Sequence, residues 1–260
     1  MTDSYRTGLG TSDADTITLL GLDLASELMG EVGFGELAYW LLTKRRPTLP
    51  QRTMFEAVLV ALADHGFTPT AIAARVTLLS APESVQGALA AGLLGGGSRF
   101  LGVTEDCANF LSAVLSELDA PPASDAAWDE VAIGAITTTH ASGRFVPGLG
   151  HPVHKETDPR TPRLFAMARD NGAFGSHLEL LAAVGRVHPE VLGKRLPVNG
   201  AGACGAVLAD IDIPLSVVRG VSLLARCAGL LGHLAEELTD PIANAIYVHV
   251  DRNIDYRPPV

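Results

Sequence analysis

The chain has 260 residues, 47% of them hydrophobic and only 18% charged, which excludes an intrinsically disordered polypeptide and supplies ample side chain for a large core. Nineteen Lys and Arg against 29 Asp and Glu give a net charge of −10, which excludes a broad nucleic-acid-binding surface but leaves room for a local basic pocket around a phosphorylated ligand. The three cysteines, Cys107, Cys204 and Cys227, are widely spaced without a CxxC pair, so neither a disulfide framework nor a thiolate zinc site is expected. The N-terminus has no apolar core of a signal peptide, and no uninterrupted apolar run approaches the roughly 20 residues of a membrane span. Arg219, Arg226 and His233 break the longest candidate, 214–238. A cytoplasmic protein with no membrane partner and no nucleic-acid partner is the expectation.

Scarce aromatics (5%) and abundant Ala and Leu favour helices over sheets. Phe34, Leu37, Ala38, Leu41 and Leu42 form an amphipathic stripe within 33–43. Prolines then mark helix starts: Pro50 before 54–64, Pro69 before 70–79, Pro82 before 83–94 and Pro162 before 163–169. The run 55–63 is apolar nearly all round and predicts a helix buried on most sides. Gly95-Gly96-Gly97 stops one helix, and Pro121-Pro122 separates two more. The pattern predicts an all-α protein of roughly ten helices. Residues 141–162 have no helical period and concentrate Gly, Pro, His, Lys and Arg, which marks a functional loop.

Four constellations could carry chemistry. Asp64-His65-Gly66 follows the buried helix. It reads either as a C-terminal capping arrangement or as a rigidly held imidazole that donates to an enolate oxygen. Gly148-Leu149-Gly150-His151, followed by Lys155 and Asp158-Pro159-Arg160, allows close approach of backbone to a ligand. His151 could polarise a carbonyl or hydroxyl there, and Arg160 could grip a carboxylate with both arms of its fork; the alternative is a solvated basic loop. On 214–238, Arg219, Arg226 and His233 share a stripe at a spacing of seven, among apolar neighbours. That stripe predicts ion pairs, with a core carboxylate or with a ligand. Gly200-Ala201-Gly202-Ala203-Cys204-Gly205 matches G-x-G-x-x-G, but a dinucleotide site needs a preceding strand and an acidic residue about 20 positions on. Gly220 stands at that position, so the motif is rejected. The basic pair Lys194 and Arg195 reads as a solvated turn, with contact to a ligand phosphate as the alternative, and Cys204 as a small buried hydrophobe.

Taken in order, Phe34 to Pro47, Ala63-Asp64-His65-Gly66, Gly148-Leu149-Gly150-His151 with Asp158-Pro159-Arg160, and Arg226-Cys227-Ala228-Gly229-Leu230-Leu231-Gly232-His233 resemble the citrate synthase family. The likeness is nearest to the citryl-CoA lyase module of ATP-citrate lyase. It implies an all-α, two-domain fold with a shortened large domain (1–66 and 213–260), a small domain (67–212) and a homodimer or higher homo-oligomer. It also implies carbon–carbon bond chemistry beside an acyl-CoA carbonyl. The coenzyme A ester would be a substrate, with no tightly bound cofactor and no metal, and the second ligand a small carboxylic or keto acid. By motif, His65 would stabilise the acetyl-CoA enolate and His151 would bind or deprotonate the partner hydroxyl. Arg160 and Arg226 would hold carboxylate, and Gly148, Leu149, Gly150 and Lys155 would lie near CoA. The family's acid–base Asp falls at Ala201 of Asn199-Gly200-Ala201, and an arginine expected near the C-terminus falls at Val248, with Arg252 or Arg257 nearby. The implied reaction is therefore cleavage of citryl-CoA or a less anionic 3-hydroxyacyl-CoA, with condensation or mere CoA-ester binding as the other readings.

Overall fold

The computed structural model describes residues 4–259. Three short antiparallel strands come first, β1 (Gly10–Ser12), β2 (Ile17–Leu19) and β3 (Leu22–Asp23), paired in that order with Gly10 opposite Leu19 and Thr18 opposite Asp23. This small sheet is absent from the sequence expectation: its strands are too short for a period, and only β-branched Thr11, Ile17 and Thr18 hint at it. A π-helical turn, Leu24–Leu28, then leads into eleven α-helices among the described residues. They are α1 (Phe34–Thr43), α2 (Leu49–Ala63), α3 (Pro69–Ser80), α4 (Val85–Leu94), α5 (Val103–Leu115), α6 (Asp125–Ala141), α7 (Arg160–Asp170), α8 (Ser176–Leu192), α9 (Gly200–Asp210), α10 (Val218–Thr239) and α11 (Ala243–Arg252). The predominantly helical expectation holds.

Capping chemistry sets the boundaries more finely than proline does. Thr48 and Gln51 form a reciprocal capping box, so α2 starts at Leu49, ahead of the expected Met54. Ser84 caps α4 and leaves Pro82 outside it, while α7 starts at Arg160 with Pro162 inside its first turn. Helix α2 buries one face only, through Met54, Phe55, Val58 and Leu62, whereas Val60 is 76% exposed. Composition alone could not show which side of that apolar run meets the core.

One large core joins α1, α2 and α5–α10, and a smaller one, built from Ala71, Ala74, Leu78, Ala88, Leu230 and Leu234, joins α3 and α4 to α10. Tyr39 anchors α1 by donating its hydroxyl to the Ile211 carbonyl at 2.8 Å and setting its ring edge-on to Phe55. The stretch Leu215–Thr239, which contains an 18-residue window of mean hydropathy 1.4, is long and apolar enough to cross a membrane by length and composition, despite its charges. In this fold it is a packed helix whose buried Arg226, His233 and Glu237 all bond to neighbouring elements.

Helix α9 explains the rejected glycine motif. A Cβ at Gly200 would overlap Arg160, one at Gly202 would overlap the Gly148 backbone, and one at Gly205 would overlap the Thr104 carbonyl. The three glycines let α9 lie directly against α7, the 142–159 loop and α5. Burial pushes the Cys107 and Cys204 thiols up to about 12, so both behave as packed apolar groups, as expected of Cys204.

Candidate active site

The end of α2, the start of α3, the 98–102 segment with the first turn of α5, the irregular loop, the first turns of α7 and α9, and the middle of α10 surround a cavity of about 490 Å³. His65, Gly148, Leu149, Gly150, His151, Arg160 and Arg226 all line it. Lys155 does not: its exposed ammonium folds back onto its own loop, 2.8 Å from the Pro152 carbonyl and 3.2 Å from that of His151. A larger cleft of about 860 Å³ between α5 and α6 contains none of the candidate residues.

His65 sits on a turn that is bonded from behind. Asp64 leaves the helix, and its Oδ2 accepts the Gly66 N–H at 2.8 Å while Gly66 takes a φ of +69°. Asp64 Oδ1 accepts a hydrogen bond from His233 Nε2 at 2.9 Å. On its other side, His233 Nδ1 accepts from Arg75 Nε (3.2 Å) and Nη2 (3.1 Å), which assigns the His233 proton to Nε2. Arg75 is fully buried, pairs with Glu237 at 2.9 Å and also meets Glu236. Glu237 in turn accepts the Ile242 and Ala243 N–H groups at the head of α11. Burial raises the Asp64 carboxyl, but the Gly66 N–H and His233 outweigh it and hold the group below the usual range. Thus a continuous hydrogen-bonded chain runs from α11 to the His65 turn. In the sequence His233 stands on a recognisable stripe, whereas the only signal of Arg75 is a guanidinium between Ala71, Ala74 and Leu78 on an apolar face.

The loop places His151 opposite His65, with ring centroids 5.2 Å apart. Backbone N–H groups of Val153 (3.1 Å) and His154 (3.0 Å) both donate to His151 Nδ1. Nδ1 therefore bears a lone pair and Nε2 the proton. Burial is the largest influence on His151; with His154, His65 and Arg160 it outweighs the attraction of Asp158 and pushes the imidazole down to about 4. At neutral pH His151 is an uncharged N–H donor, suited to binding an oxygen rather than deprotonating it. One ring nitrogen each of His65, His151 and His154 lies within 4.8 Å of the others, a spacing a metal could use. The tautomer of His151 does not fit that role. A ligating imidazole usually donates its second N–H to an acceptor, whereas the second nitrogen of His151 accepts two donors.

The two arginines differ. Arg160 gives Nε and Nη2 to Asp158 at 3.0 and 2.8 Å, and Nη1 to the Ala61 carbonyl at 3.2 Å. The two-armed grip expected for a ligand carboxylate is thus occupied by an internal one, on a side chain two positions away. Asp158 is fully buried and also accepts the Gly200 N–H at 2.7 Å, joining α7 to the N-terminus of α9. Burial raises Asp158, yet its bonds to Arg160 and Gly200 hold it far below the ordinary carboxylate range. Arg226 has neutral partners instead: the Ala63 carbonyl at 3.0 Å, that of Leu62 at 3.4 Å, and the Thr68 and Thr70 hydroxyls. It is 5% exposed, and no ion pair among the described residues includes it. A Cβ at Gly229 would overlap the Ala63 carbonyl, so that glycine permits the close passage of α10 beneath α2. Burial, followed by the opposing attraction of Asp64 and the repulsion of Arg160, leaves the Arg226 pKa lowered. Arg219, on the same stripe, pairs with Glu105 at 2.6 Å and is structural.

Asn199 fixes the rest of the wall. It caps α9 through Gly202, and its Nδ2 donates to the Gly150 carbonyl at 2.8 Å. Gly148 and Gly150 adopt φ of +86° and +84°, and the loop pairs with 197–199 through Leu149 and Val198. Ala201 lines the cavity on the first turn of α9 and brings no titratable group there. Lys194 borders a separate hollow of about 190 Å³, and Arg257 pairs with Asp255 at the exposed C-terminus.

The citrate synthase C-terminal domain family matches residues 31–247. The chain belongs to the citrate synthase family. Among curated relatives, citrate synthase of Synechocystis sp. is 27% identical over 230 residues, covering 84% of this chain and 54% of the relative. ATP-citrate synthase beta chain protein 2 of Arabidopsis thaliana is 26% identical and is covered over 36% of its length. This family member therefore spans about half, or less, of the curated relatives it matches. A solved citryl-CoA lyase from Hydrogenobacter thermophilus superposes with a TM-score of 0.84 at 29% identity, covering 98% of this chain and 96% of that one. The ATP citrate lyase of Methanosaeta concilii, solved with (3S)-citryl-CoA, shares the fold with a TM-score of 0.81 at 22% identity, covering all of this chain and 42% of that one.

Proposed function

We propose that this citrate synthase family member is a citryl-CoA lyase-like enzyme, cleaving citryl-CoA or a related 3-hydroxyacyl-CoA to acetyl-CoA and a keto acid. The observation that carries this reading is an almost buried, ion-pair-free Arg226 on the wall of a cavity where His65 and a neutral His151 face each other. A buried cation of this kind calls for an anionic partner, and the carboxylate of a bound acid supplies one. The near-complete mutual coverage with the citryl-CoA lyase of Hydrogenobacter thermophilus supports the lyase direction.

In this reaction the substrate hydroxyl loses its proton and becomes the carbonyl of the released acid. The breaking carbon–carbon pair passes to the thioester, whose enolate gains a proton and leaves as acetyl-CoA. His65 donates a hydrogen bond to the enolate oxygen, and His151 Nε2–H holds the oxygen that becomes the carbonyl. Arg226 binds carboxylate, while Arg160, committed to Asp158, braces α7 against α9 and adds positive potential. Gly148, Leu149 and Gly150 lie along the CoA thioester arm. Lys155 reaches CoA phosphate by releasing its own loop carbonyls, so CoA is expected to protect it from amine-modifying reagents. The division at 67 and 212, a homodimeric unit and a cytoplasmic location belong to the same proposal.

The test is to incubate the protein with citryl-CoA and a panel of 3-hydroxyacyl-CoAs and to follow acetyl-CoA by mass spectrometry. Release that drops at least about 100-fold in His65→Ala supports the reading. CoA esters that bind without turnover mark a non-catalytic relative, and turnover unchanged in His65→Ala removes the enolate role.

A further inference from the structure

Cleavage needs a group that accepts the hydroxyl proton and returns it to the thioester carbon, and the obvious groups around this cavity are committed. His151 offers Nε2–H, its Nδ1 lone pair being taken by two backbone donors. Asp158 is locked to Arg160 and Gly200, and Asp64 to Gly66 and His233. Asp106, the one carboxylate among the described residues lining the cavity, lies 3.7 Å from Arg219, and Ala201 carries no proton. His154 is different. Its ring stacks on His151 with centroids 4.5 Å apart and meets His65 edge-on at 5.7 Å. One nitrogen of each ring lies within 4.8 Å of the others, and among the described residues no hydrogen bond engages the His154 ring, whose backbone N–H alone is used by His151.

The geometry points to His154 as the proton-transfer residue of this site, occupying the role that a carboxylate at Ala201 would otherwise fill. This inference rests on the cleavage reading above and names its missing acid–base group. The His154 ring stands behind His151 and His65 rather than on the cavity wall itself, so a proton passes between it and an oxygen bound by His151 through one water. The hydroxyl proton passes to His154 as the carbon–carbon bond breaks. The same proton returns to the enolate carbon, making the methyl of acetyl-CoA, so the cycle needs no oxidant, reductant or net proton. The groups facing His154 are His65 from the α2–α3 turn and His151 from its own loop, with Lys155 adjacent in sequence. Beyond them stand Asp158 and Arg160 at the head of α7, and Asp64 beside His65.

The decisive experiment pairs cleavage with deuterium exchange into acetyl-CoA in D₂O, read by mass spectrometry, for the wild type and His154→Gln. The expected result is a fall of about 10²–10⁴-fold in both rates for the variant. Its KM and CoA binding by calorimetry stay near wild type, and added imidazole restores part of the lost rate. A variant that cleaves and exchanges at the wild-type rate overturns the inference while leaving the cleavage reading intact. Wild-type exchange without cleavage of any ester, abolished in His154→Gln, upholds the inference and overturns the choice of substrate. A wild-type protein that neither cleaves nor exchanges overturns both.

Discussion

His151 and Arg226 show how a side chain's partners decide its chemistry. With two backbone donors on Nδ1 and a pKa pushed down to about 4, His151 stays neutral through the physiological range. A ¹H–¹⁵N NMR titration should find its midpoint near 4 and show Nε2 protonated at pH 7; a midpoint above 6 would remove the neutral-donor role. Because this folded value lies below the ordinary histidine value of about 6.5, charging His151 opposes folding as pH falls from about 6.5 towards 4, and the cost is absent above that window. Arg226 carries charge into a wall that gives it only neutral acceptors. Arg226→Met is expected to hold or raise the thermal midpoint, since an uncompensated buried cation is removed, while kcat/KM for a carboxylated ester falls about 10–200-fold. A lower midpoint with unchanged kinetics would make Arg226 a structural residue. His65, His151 and Arg226 were legible in the sequence because each stands in a compact motif. The role of Arg160 was not, because only the fold turns Asp158 inward onto it. His154 passed as one polar residue of a basic loop, and nothing local announced that its ring stacks on His151.

Among the elements, periodicity and proline spacing located most helices, but the caps at Thr48 and Ser84 set where they begin, and the short sheet left no periodic trace. The buried side of α2 was equally hidden, since the choice depends on where α9 and α10 pack. Two ties between elements matter most for the site. Arg75 joins α3 to α10 and, through Glu237, to α11. Arg75→Met leaves the Glu237 carboxylate buried without its partner and should destabilise the fold by about 3–5 kcal/mol in urea unfolding. A change within about 0.5 kcal/mol would show that the chain behind His65 is incidental. Asp158 joins α7 to α9, and its depressed folded pKa gives a definite sign. The stability it adds is complete above the unfolded value of about 3.9 and is lost as pH falls through the folded value. Asp158→Asn should therefore flatten the loss of stability below about pH 4, and an unchanged acid limb would place that loss elsewhere.

For the whole molecule, the acidic net charge and the anionic ligand proposed above are compatible because the cavity gathers His65, His151, Arg160 and Arg226 in its lining. The length reads the same way: the fold is covered from end to end by a citryl-CoA lyase, whereas only about half of a full citrate synthase is matched. The helical class and the family were legible from four ordered motifs. The cavity was not, because it is assembled from helices and loops spread between α2 and α10 that no sequence window contains. The most direct measurement of the central claim is acetyl-CoA release from citryl-CoA by the wild-type protein and by Arg226→Met at equal, saturating CoA-ester occupancy. Robust release by the wild type with at least a tenfold loss in the variant is the expected result. Equal rates in the two proteins, or an ester bound and left intact by the wild type, would contradict it.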